Sequence, residues 1–177
     1  GTPGAGKSTL ARELALSLCL HHYELDAIYW GENWERCDDD VFDATLSTLC
    51  RSDCWIADGS YPAVIDLMKQ RSEFLIWLDL PLYISLPRVI LRTMDRLIHR
   101  KVLWNNNRES LRRALATDGM IPYAVFHHRR NRALARSIWE TFEGRKFHIK
   151  NTNEMAQMIE KLKALHMPER TNSRETA

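Results

Sequence analysis

The first eight residues of the chain, GTPGAGKS at positions 1–8, constrain its fold more than any other segment. They fit the pattern G-x-x-x-x-G-K-[ST] at every fixed position, which is typical of a loop that wraps around a phosphate group. Apolar side chains then follow at the spacing of one helical face, at Leu10, Leu14 and Leu18. The sequence therefore predicts a glycine-rich loop that leads directly into a helix.

This loop predicts a nucleotide site that holds ATP and Mg²⁺. Glycines let successive backbone N–H groups point inward at a phosphate, and the helix adds the positive end of its dipole. Lys7 is expected to reach the β- and γ-phosphates, and the Ser8 hydroxyl to bind Mg²⁺. An accidental glycine-rich turn is the alternative interpretation. The residues expected to contact the nucleotide are Gly1, Thr2, Pro3, Gly4, Ala5, Gly6, Lys7, Ser8 and Thr9.

Short β-rich runs alternate with helical runs along the rest of the chain, which favours an α/β fold with a parallel sheet flanked by helices. Strands are predicted near residues 22–26, 54–58, 74–79 and 146–150, and two of the predicted helices cover residues 108–117 and 123–141. A phosphate-binding loop normally follows a strand in the middle of the sheet, yet the loop here starts at Gly1. We therefore expect the chain to be truncated at its N-terminus, with the central first strand missing from it.

A second metal-binding residue is predicted at Asp58, which ends the apolar run Trp55-Ile56-Ala57. A carboxylate at the end of a strand can hold the Mg²⁺ of a bound nucleotide. The alternative is a turn aspartate before Gly59, which is a common pattern. Asp79 follows another predicted strand and is a rival for the same role, but Leu80-Pro81 after it favours a turn or capping residue.

Three sequence blocks resemble the adenylate-kinase-like P-loop kinases, and they are most similar to the uncharacterised branch often labelled topology-modulation-protein-like. The blocks are GTPGAGKSTLA at 1–11, WIADGSY at 55–61 and FLIWLDLPLYISLPRVILR at 74–92. The order of elements through Ile149 agrees as well, so the resemblance covers most of the chain. It implies a three-layer P-loop fold with strand order 2-3-1-4-5, in a single domain over residues 1–166.

The resemblance also implies roles for two arginines on the helix predicted after the third strand run. Arg88 is expected to lie against the adenine, and Arg92 to reach the transferring phosphate. The two are four residues apart and so share one helical face, and a guanidinium both stacks on rings and binds phosphate oxygens. A solvated basic helix face is the alternative.

Kinases of this kind close a lid over the phosphates, and the resemblance implies a lid at about residues 93–118. The turn-rich stretch Asn105-Asn106-Asn107 can act as its hinge, and Arg108 and Arg112 behind it are candidate nucleotide-binding residues. A lid excludes water, so that the γ-phosphoryl is not simply hydrolysed. This lid contains no cysteine, which rules out a zinc-bearing version. An ordinary basic hairpin of helices is the alternative.

The acceptor side departs from true adenylate kinases, because no arginine follows Asp58-Gly59 before Arg71 to grip the phosphate of AMP. Asp26, at the end of a predicted strand, instead resembles the carboxylate of small-metabolite kinases, which orients or deprotonates an acceptor hydroxyl. Aromatic residues nearby either form an apolar wall for that acceptor or pack in the core. They are Tyr29, Trp30 and Trp34.

These features predict a phosphotransferase that moves the γ-phosphoryl of ATP to a nucleotide or a small hydroxyl metabolite, with Lys7, Arg92 and Asp26 as catalytic residues. Charge is spread unevenly along the chain. Residues 88–146 hold 14 basic and 5 acidic side chains, whereas residues 1–87 hold 6 basic and 14 acidic ones. A basic segment of this kind needs an anionic partner. A nucleotide-gated nucleic-acid-binding ATPase without kinase activity is therefore the less favoured alternative.

The remaining sequence features point to an ordinary globular protein. No stretch of roughly 18 apolar residues occurs, so no transmembrane helix or membrane partner is expected, and no basic-then-apolar signal segment is visible. The four cysteines form no C-x-x-C pair and are expected to be reduced thiols, which favours a cytoplasmic location. The polar tail over residues 167–177 is expected to be disordered.

Overall fold

The structure is a computed structural model that describes residues 1–52, 54–117 and 119–166, so the predicted disordered tail lies outside the described residues. It is a mixed α/β arrangement. The α-helices are α1 (Lys7–Leu18), α2 (Leu25–Tyr29), α3 (Asp39–Leu49), α4 (Ile65–Arg71), α5 (Leu82–Ile98), α6 (Leu111–Leu115), α7 (Met120–Phe126), α8 (His128–Thr141) and α9 (Thr152–His166). None of the helices in these residues is long and apolar enough to span a membrane.

The strand predictions are confirmed, each close to its expected bounds. The strands are β1 (His21–Glu24), β2 (Trp55–Asp58), β3 (Phe74–Leu78) and β4 (Arg145–Ile149). β1 ends earlier than predicted, because the chain turns into α2 at Leu25 and that side chain is buried. The first strand is therefore only four residues long.

The strands form two parallel pairs rather than one continuous sheet. β1 pairs with β2, with His22 opposite Ile56, and β3 pairs with β4, with Ile76 opposite Phe147. Within the described residues no strand joins β2 to β3. Both strands instead line a cavity of about 550 Å³. The parallel pairing agrees with the predicted α/β class.

Two hydrophobic clusters hold these elements together. In the first, α1 packs with β3, β4 and α9 through Leu10, Leu14, Leu78, Ile149 and Met158. In the second, α2 and α3 pack with the 3₁₀ turn over residues 62–64, through Leu25, Phe42, Leu46 and Val64. Burial of one such side chain is worth about 1.5–3 kcal/mol. The first cluster therefore anchors α1, and with it the loop that precedes α1.

The basic segment after α5 is less helical than its sequence predicts. A single helix was expected over residues 108–117, but α6 begins only at Leu111. The Ser110 hydroxyl accepts a hydrogen bond of 3.2 Å from the backbone N–H of Arg113, which caps the helix at that point. The helix expected over residues 123–141 is likewise divided into α7 and α8 at His127.

Candidate functional site

The loop before α1 has the backbone conformation that its glycines predict. Gly4 and Gly6 have φ angles of 76° and 96°, in the left-handed region that residues with a Cβ rarely adopt. A Cβ on Gly4 would also lie 2.3 Å from the backbone oxygen of Ser85, so the loop packs directly against α5. Gly6 is the N-cap of α1 and has no side chain to occupy the helix N–H groups. The positive end of α1 is thus open to an anion.

Lys7 lies folded over the loop that precedes it. Its Nζ donates hydrogen bonds to two backbone carbonyl oxygens of the loop, at 3.0 and 3.2 Å. Burial lowers the pKa of Lys7, the carboxylates of Asp26 and Asp58 oppose this shift, and the charge of Arg92 adds to it. Lys7 therefore shares one electrostatic environment with the other residues predicted to be catalytic or metal-binding.

Asp58 lies at the end of β2, beside the start of α1. The Ser8 hydroxyl donates a hydrogen bond to Oδ2 of Asp58, and Nε2 of His22 lies 2.7 Å from Oδ1. The Asp58 side chain is only 9% exposed, so its carboxylate is almost enclosed between these two partners. The structure thus brings together the two predicted metal-binding residues, Ser8 and Asp58.

The sequence predicted that Asp26 ends a strand. In the structure it is instead the second residue of α2, just beyond the end of β1. Its Oδ1 accepts a hydrogen bond of 2.5 Å from the hydroxyl of Tyr61. Burial and the negative charge of Asp26 raise the pKa of Tyr61 above its usual range, so the phenol keeps its proton. One oxygen of the predicted acceptor-side carboxylate is therefore held by a neutral donor.

Arg92 extends from α5 into the same environment. Burial lowers the pKa of Arg92 and the neighbouring charge of Arg96 lowers it further, whereas Glu109 and Asp26 oppose the shift. The residue still keeps exposed surface, which leaves part of it accessible to a ligand. Arg96 and Glu109 form a loose ion pair of 3.6 Å, with side chains only 14% and 6% exposed. Arg92 therefore lies between acidic side chains of two different segments.

Arg88 lies one helical turn before Arg92, and its side chain is exposed. A Cβ on the loop residue Gly4 would meet Ser85 and Val89 of α5, so these two residues face the loop. Arg88 and Arg92 each follow one of them by three residues, which puts both on the flank of that helical face. The predicted nucleotide-binding arginines therefore lie beside the loop.

Asp79, the rival metal ligand, is occupied by other partners. Arg132 donates hydrogen bonds to both of its carboxylate oxygens, at 2.6 and 2.9 Å, and Nε2 of His148 lies 3.1 Å from Oδ2. Burial alone would raise the pKa of Asp79, but the hydrogen bonds from Arg132 and His148 hold it below its usual value. Asp79 thus ties α8 and β4 to the end of β3, which agrees with the preference for Asp58 as metal ligand.

The three aromatic residues after Asp26 are all half-buried and contact one another in series. The Tyr29 ring packs against Phe42 and Tyr61, with ring centroids 5.4 and 4.4 Å apart, so it packs on the second hydrophobic cluster. Trp30 contacts Tyr29 edge to face, with centroids 5.1 Å apart, and Trp34 contacts Trp30 in the same way at 6.0 Å. Tyr29 therefore packs against the core, and the two tryptophans continue the ring contacts beyond it.

Two turns that are distant in sequence bind each other, and we call this set of contacts the clasp. The clasp consists of residues 30–36, residues 102–108 and the hydrogen bonds between them; each turn is closed by an antiparallel bridge. The amide of Asn107, which is 3% exposed, donates to the carbonyl oxygen of Gly31 at 2.7 Å and accepts from the N–H of Trp34 at 2.8 Å. Its Nδ2 also donates within its own turn. The buried amide is therefore fully used.

Further hydrogen bonds extend the clasp on both sides. Nδ2 of Asn105 donates to the carbonyl oxygen of Trp30 at 2.5 Å, and the Trp34 indole donates to the carbonyl oxygen of Arg108 at 3.2 Å. The indole of Trp104 donates to the carboxylate of Glu24, on β1, at 2.8 Å. The predicted lid is thus tied, through its candidate hinge, to the segment that follows Asp26.

A groove of about 410 Å³ lies beside the clasp and is lined by the predicted nucleotide-binding residues Arg108 and Arg112. The guanidinium of Arg113 lies 4.9 Å from the centre of the Trp34 ring and stacks over it. The remaining lining residues are Asn33, Ser110 and Ala116. The groove therefore combines three guanidinium groups with an indole.

Neighbouring side chains of the segment before α6 point in alternate directions. Arg108 and Ser110 line the groove, whereas Glu109 between them reaches Arg96 on α5. Successive side chains of extended backbone point to opposite sides. Arg108 therefore lies on the opposite side of this segment from the ion pair beside Arg92.

Three residues of the site were not predicted from the sequence: His22, Tyr61 and Glu109. Tyr61 carried a signal, since it lies three residues after Asp58 within one of the recognised blocks. His22 and Glu109 carried none, because their contacts depend on strand register and on the fold of the predicted lid. Register follows from the pairing of complete strands rather than from any single residue.

The donor set at Ser8 and Asp58 fits Mg²⁺, a hard cation that prefers oxygen ligands. The described residues contain no group of three or more His, Cys, Asp and Glu side chains that could hold a metal by themselves. A nucleotide-bound Mg²⁺ does not need one, since phosphate oxygens and waters complete its shell. No protein-family model matches the sequence, and no curated protein matches it.

Proposed function

We propose that the protein is an ATP-dependent phosphotransferase of the adenylate-kinase-like P-loop type, which moves the γ-phosphoryl of ATP to a hydroxyl group of a small acceptor. The observation that carries the proposal is the contact of Ser8 with Asp58 beside Lys7 at the N-terminus of α1, with Asp26 and Arg92 near enough for their charges to act on Lys7. Lys7 and Ser8 lie at the start of α1, and Asp58 lies at the end of β2. The other two come from α2 and α5, so four separate elements supply the site.

The nucleotide is held by the loop and by the two arginines of α5. Backbone N–H groups of residues 1–8 bind its phosphates, Lys7 pairs with the β- and γ-phosphates, and Arg88 packs against the base. Burial lowers the pKa of Lys7 even though the carboxylates of Asp26 and Asp58 oppose the shift, so the negative charge of a phosphate would further stabilise the charged ammonium. Ser8 and Asp58 would hold Mg²⁺, which would supply charge neutralisation at the phosphates.

The transfer itself needs one proton acceptor and a fixed positive charge. An acceptor oxygen forms a bond to the γ-phosphorus while the bond from that phosphorus to the β–γ bridging oxygen breaks, and ADP leaves. Asp26 takes the proton of the acceptor hydroxyl. Lys7 and Arg92 stabilise the charge on the moving phosphoryl group. The hydrogen bond from Tyr61 orients the Asp26 carboxylate for this step.

The same proposal includes the order of the sheet. The order 2-3-1-4-5 counts a first strand that precedes the phosphate-binding loop. In that count, β1 and β2 are strands 2 and 3, and β3 and β4 are strands 4 and 5. The first strand would lie between β2 and β3, where the cavity of about 550 Å³ is lined by Leu10, Ile56, Ile76 and other apolar side chains. Two observations support this order: the parallel pairing within each pair and the mostly apolar lining of the space between them.

The acceptor is a neutral or cationic hydroxyl compound rather than AMP. The phosphate of AMP carries nearly two negative charges and needs a cationic clamp. The acceptor side holds Asp26 with Tyr61. The acidic start of α3, with Asp38 as N-cap and Asp39 and Asp40 in the first turn, follows in sequence. A hydroxyl compound without a phosphate avoids the resulting repulsion.

Measurement of ADP release tests the function directly. The protein with ATP and Mg²⁺ is screened against small hydroxyl metabolites, nucleosides and nucleoside monophosphates. We expect release of ADP, with transfer of phosphate, for at least one hydroxyl acceptor and only poor transfer to AMP. ATP binding without phosphate transfer to any acceptor class would reject the kinase proposal, and AMP as the best acceptor would reject the proposed acceptor site.

One observation favours a second function, nucleotide-gated binding of nucleic acid. The groove beside the clasp combines Arg108, Arg112 and Arg113 with the Trp34 ring, and such surfaces bind phosphates and stack on bases. If nucleic acid binds there, its affinity should fall steeply with salt concentration. Binding that also depends on ATP would favour this alternative over the kinase.

A further inference from the structure

His22 is the one side chain besides Ser8 that the described residues bring to the Asp58 carboxylate. β1 and β2 are parallel, with His22 opposite Ile56 and Glu24 opposite Asp58. Side chains two positions apart on a strand share one face of the sheet. His22 and Asp58 are therefore diagonal neighbours on a single face, within reach of each other.

The contact is short and nearly closed to solvent. Nε2 of His22 lies 2.7 Å from Oδ1 of Asp58, and the two side chains are 12% and 9% exposed. An ionised carboxylate only accepts hydrogen bonds, so the imidazole N–H and the Ser8 hydroxyl are the donors. Each oxygen of Asp58 thus has its own donor, one from β1 and one from α1.

This arrangement fixes the plane of the carboxylate. The last torsion of an aspartate side chain has a broad energy profile, so packing and hydrogen bonds determine its orientation. Ser8 alone holds one oxygen and leaves the other free to rotate about that contact. His22 removes this freedom because it holds the second oxygen.

We propose that His22 is a positioning residue that fixes Asp58 in the orientation needed to hold nucleotide-bound Mg²⁺. The proposal rests on the proposed function in one respect: Asp58 must help to hold the Mg²⁺ of a bound nucleotide. Groups that hold a metal-binding residue in place typically alter metal affinity by about 10- to 100-fold when they are removed. The role belongs to the N–H at Nε2, since that atom makes the contact.

Mg²⁺-dependent binding of a fluorescent ADP analogue provides the test, and it needs no turnover. We expect His22→Ala to raise the Mg²⁺ concentration for half-maximal binding by about tenfold, with binding in EDTA unchanged. His22→Gln, whose amide N–H reaches the position of Nε2, should restore the wild-type value. His22→Asn, whose amide stops short of it, should behave like His22→Ala. His21→Ala, the exposed neighbour on the same strand, serves as the matched control and should have no effect.

The outcomes separate positioning from a merely structural contact. If His22→Ala lowers the thermal midpoint but leaves the Mg²⁺ dependence unchanged, His22 only ties β1 to β2 and the proposal is wrong. If His22→Ala does not fold, equal Mg²⁺ dependence of the Gln and Asn variants overturns it. Nucleotide binding by the wild type that ignores Mg²⁺ overturns it as well. Failure of the kinase function is a distinct result, namely Mg²⁺-dependent binding and the His22 effect without phosphate transfer to any acceptor.

Discussion

The loop at residues 1–8 and the clasp are both polar networks, but they differ in what their polar groups contact. In the clasp, the groups are paired with one another: the Asn107 amide makes three hydrogen bonds. In the loop, the open N-terminus of α1 has no side-chain cap, and Lys7 contacts only backbone carbonyls. Satisfied networks stabilise a fold, whereas a site with uncapped helix N–H groups and a buried cation of lowered pKa is suited to a ligand.

The difference predicts opposite consequences of mutation. Changes at the loop and its partners should remove activity and leave stability nearly unchanged. Changes in the clasp should lower stability and leave the chemistry nearly unchanged. Each variant below tests one side of this comparison.

The largest effect on activity is expected for Lys7→Ala. Loss of a fixed charge at the moving phosphoryl should lower turnover by about 100- to 1000-fold, as for other electrostatic contributors to a transition state. Thermal unfolding should be nearly unchanged, because the ammonium contacts only the loop. ADP release and calorimetry measure the two quantities. Lys163→Ala, which removes the partner of the exposed Glu160 on α9, is the control, and equal activity of both variants would refute the kinase proposal.

Asp26→Asn should follow, with turnover lowered by about 100-fold, within the range for a lost general base. The substitution keeps the size of the side chain, and its amide oxygen can still accept the hydrogen bond from Tyr61, so ATP affinity and fold should persist. The measurement is phosphate transfer to the best acceptor found, beside ATP binding. Asp66→Asn is the control, since that carboxylate is 86% exposed. Normal transfer by Asp26→Asn would remove Asp26 from the mechanism.

The two regions also differ in how far the sequence predicted them. The loop is contiguous, and each of its residues acts through local backbone geometry, so eight letters are enough to identify it. The strands were predictable for the same reason, from short apolar runs. The clasp joins residues 73 to 76 positions apart. Such contacts depend on how whole elements pack, and that is why Asn107 was expected to act as a hinge residue and not as a buried link.

Residues of the site show the same contrast between positions set by local sequence and positions set by long-range packing. Ser8 and Asp58 were placed together because each is fixed by its own motif and strand end. His22 was missed, since its partner follows from the register of β1 against β2, and Glu109 was missed because its segment is extended rather than helical. The sequence therefore indicates a residue's position where one element determines it, and not where two elements must be docked first.

Substitutions of the two arginines on α5 test whether the residues beside the loop share one role or divide into catalysis and nucleotide binding. Arg92→Ala should lower turnover by tens of fold, because Arg92 shares its surroundings with Asp26 and Lys7. Arg88→Ala should mainly weaken ATP binding, by about twofold to fivefold, since an exposed guanidinium stacked on a base contributes about 0.5–1 kcal/mol. Separate measurements of kcat and of the Kd for ATP distinguish the two roles. The reverse pattern would mean that the roles are exchanged.

The smallest effect on turnover is expected for Asn107→Ala, which tests the clasp. Loss of the amide leaves the Gly31 carbonyl and the Trp34 N–H without their partner, and an unpaired buried polar group costs about 1–3 kcal/mol. We therefore expect the free energy of unfolding to fall by about 2 kcal/mol, while turnover well below the unfolding transition changes by less than about twofold, well under 1 kcal/mol. Urea unfolding and ADP release measure the two quantities, and Gln157→Ala, at an exposed position of α9, is the control. A large loss of turnover with unchanged stability would mean that the clasp serves the chemistry, for instance as a moving lid, and would remove the distinction between the two regions.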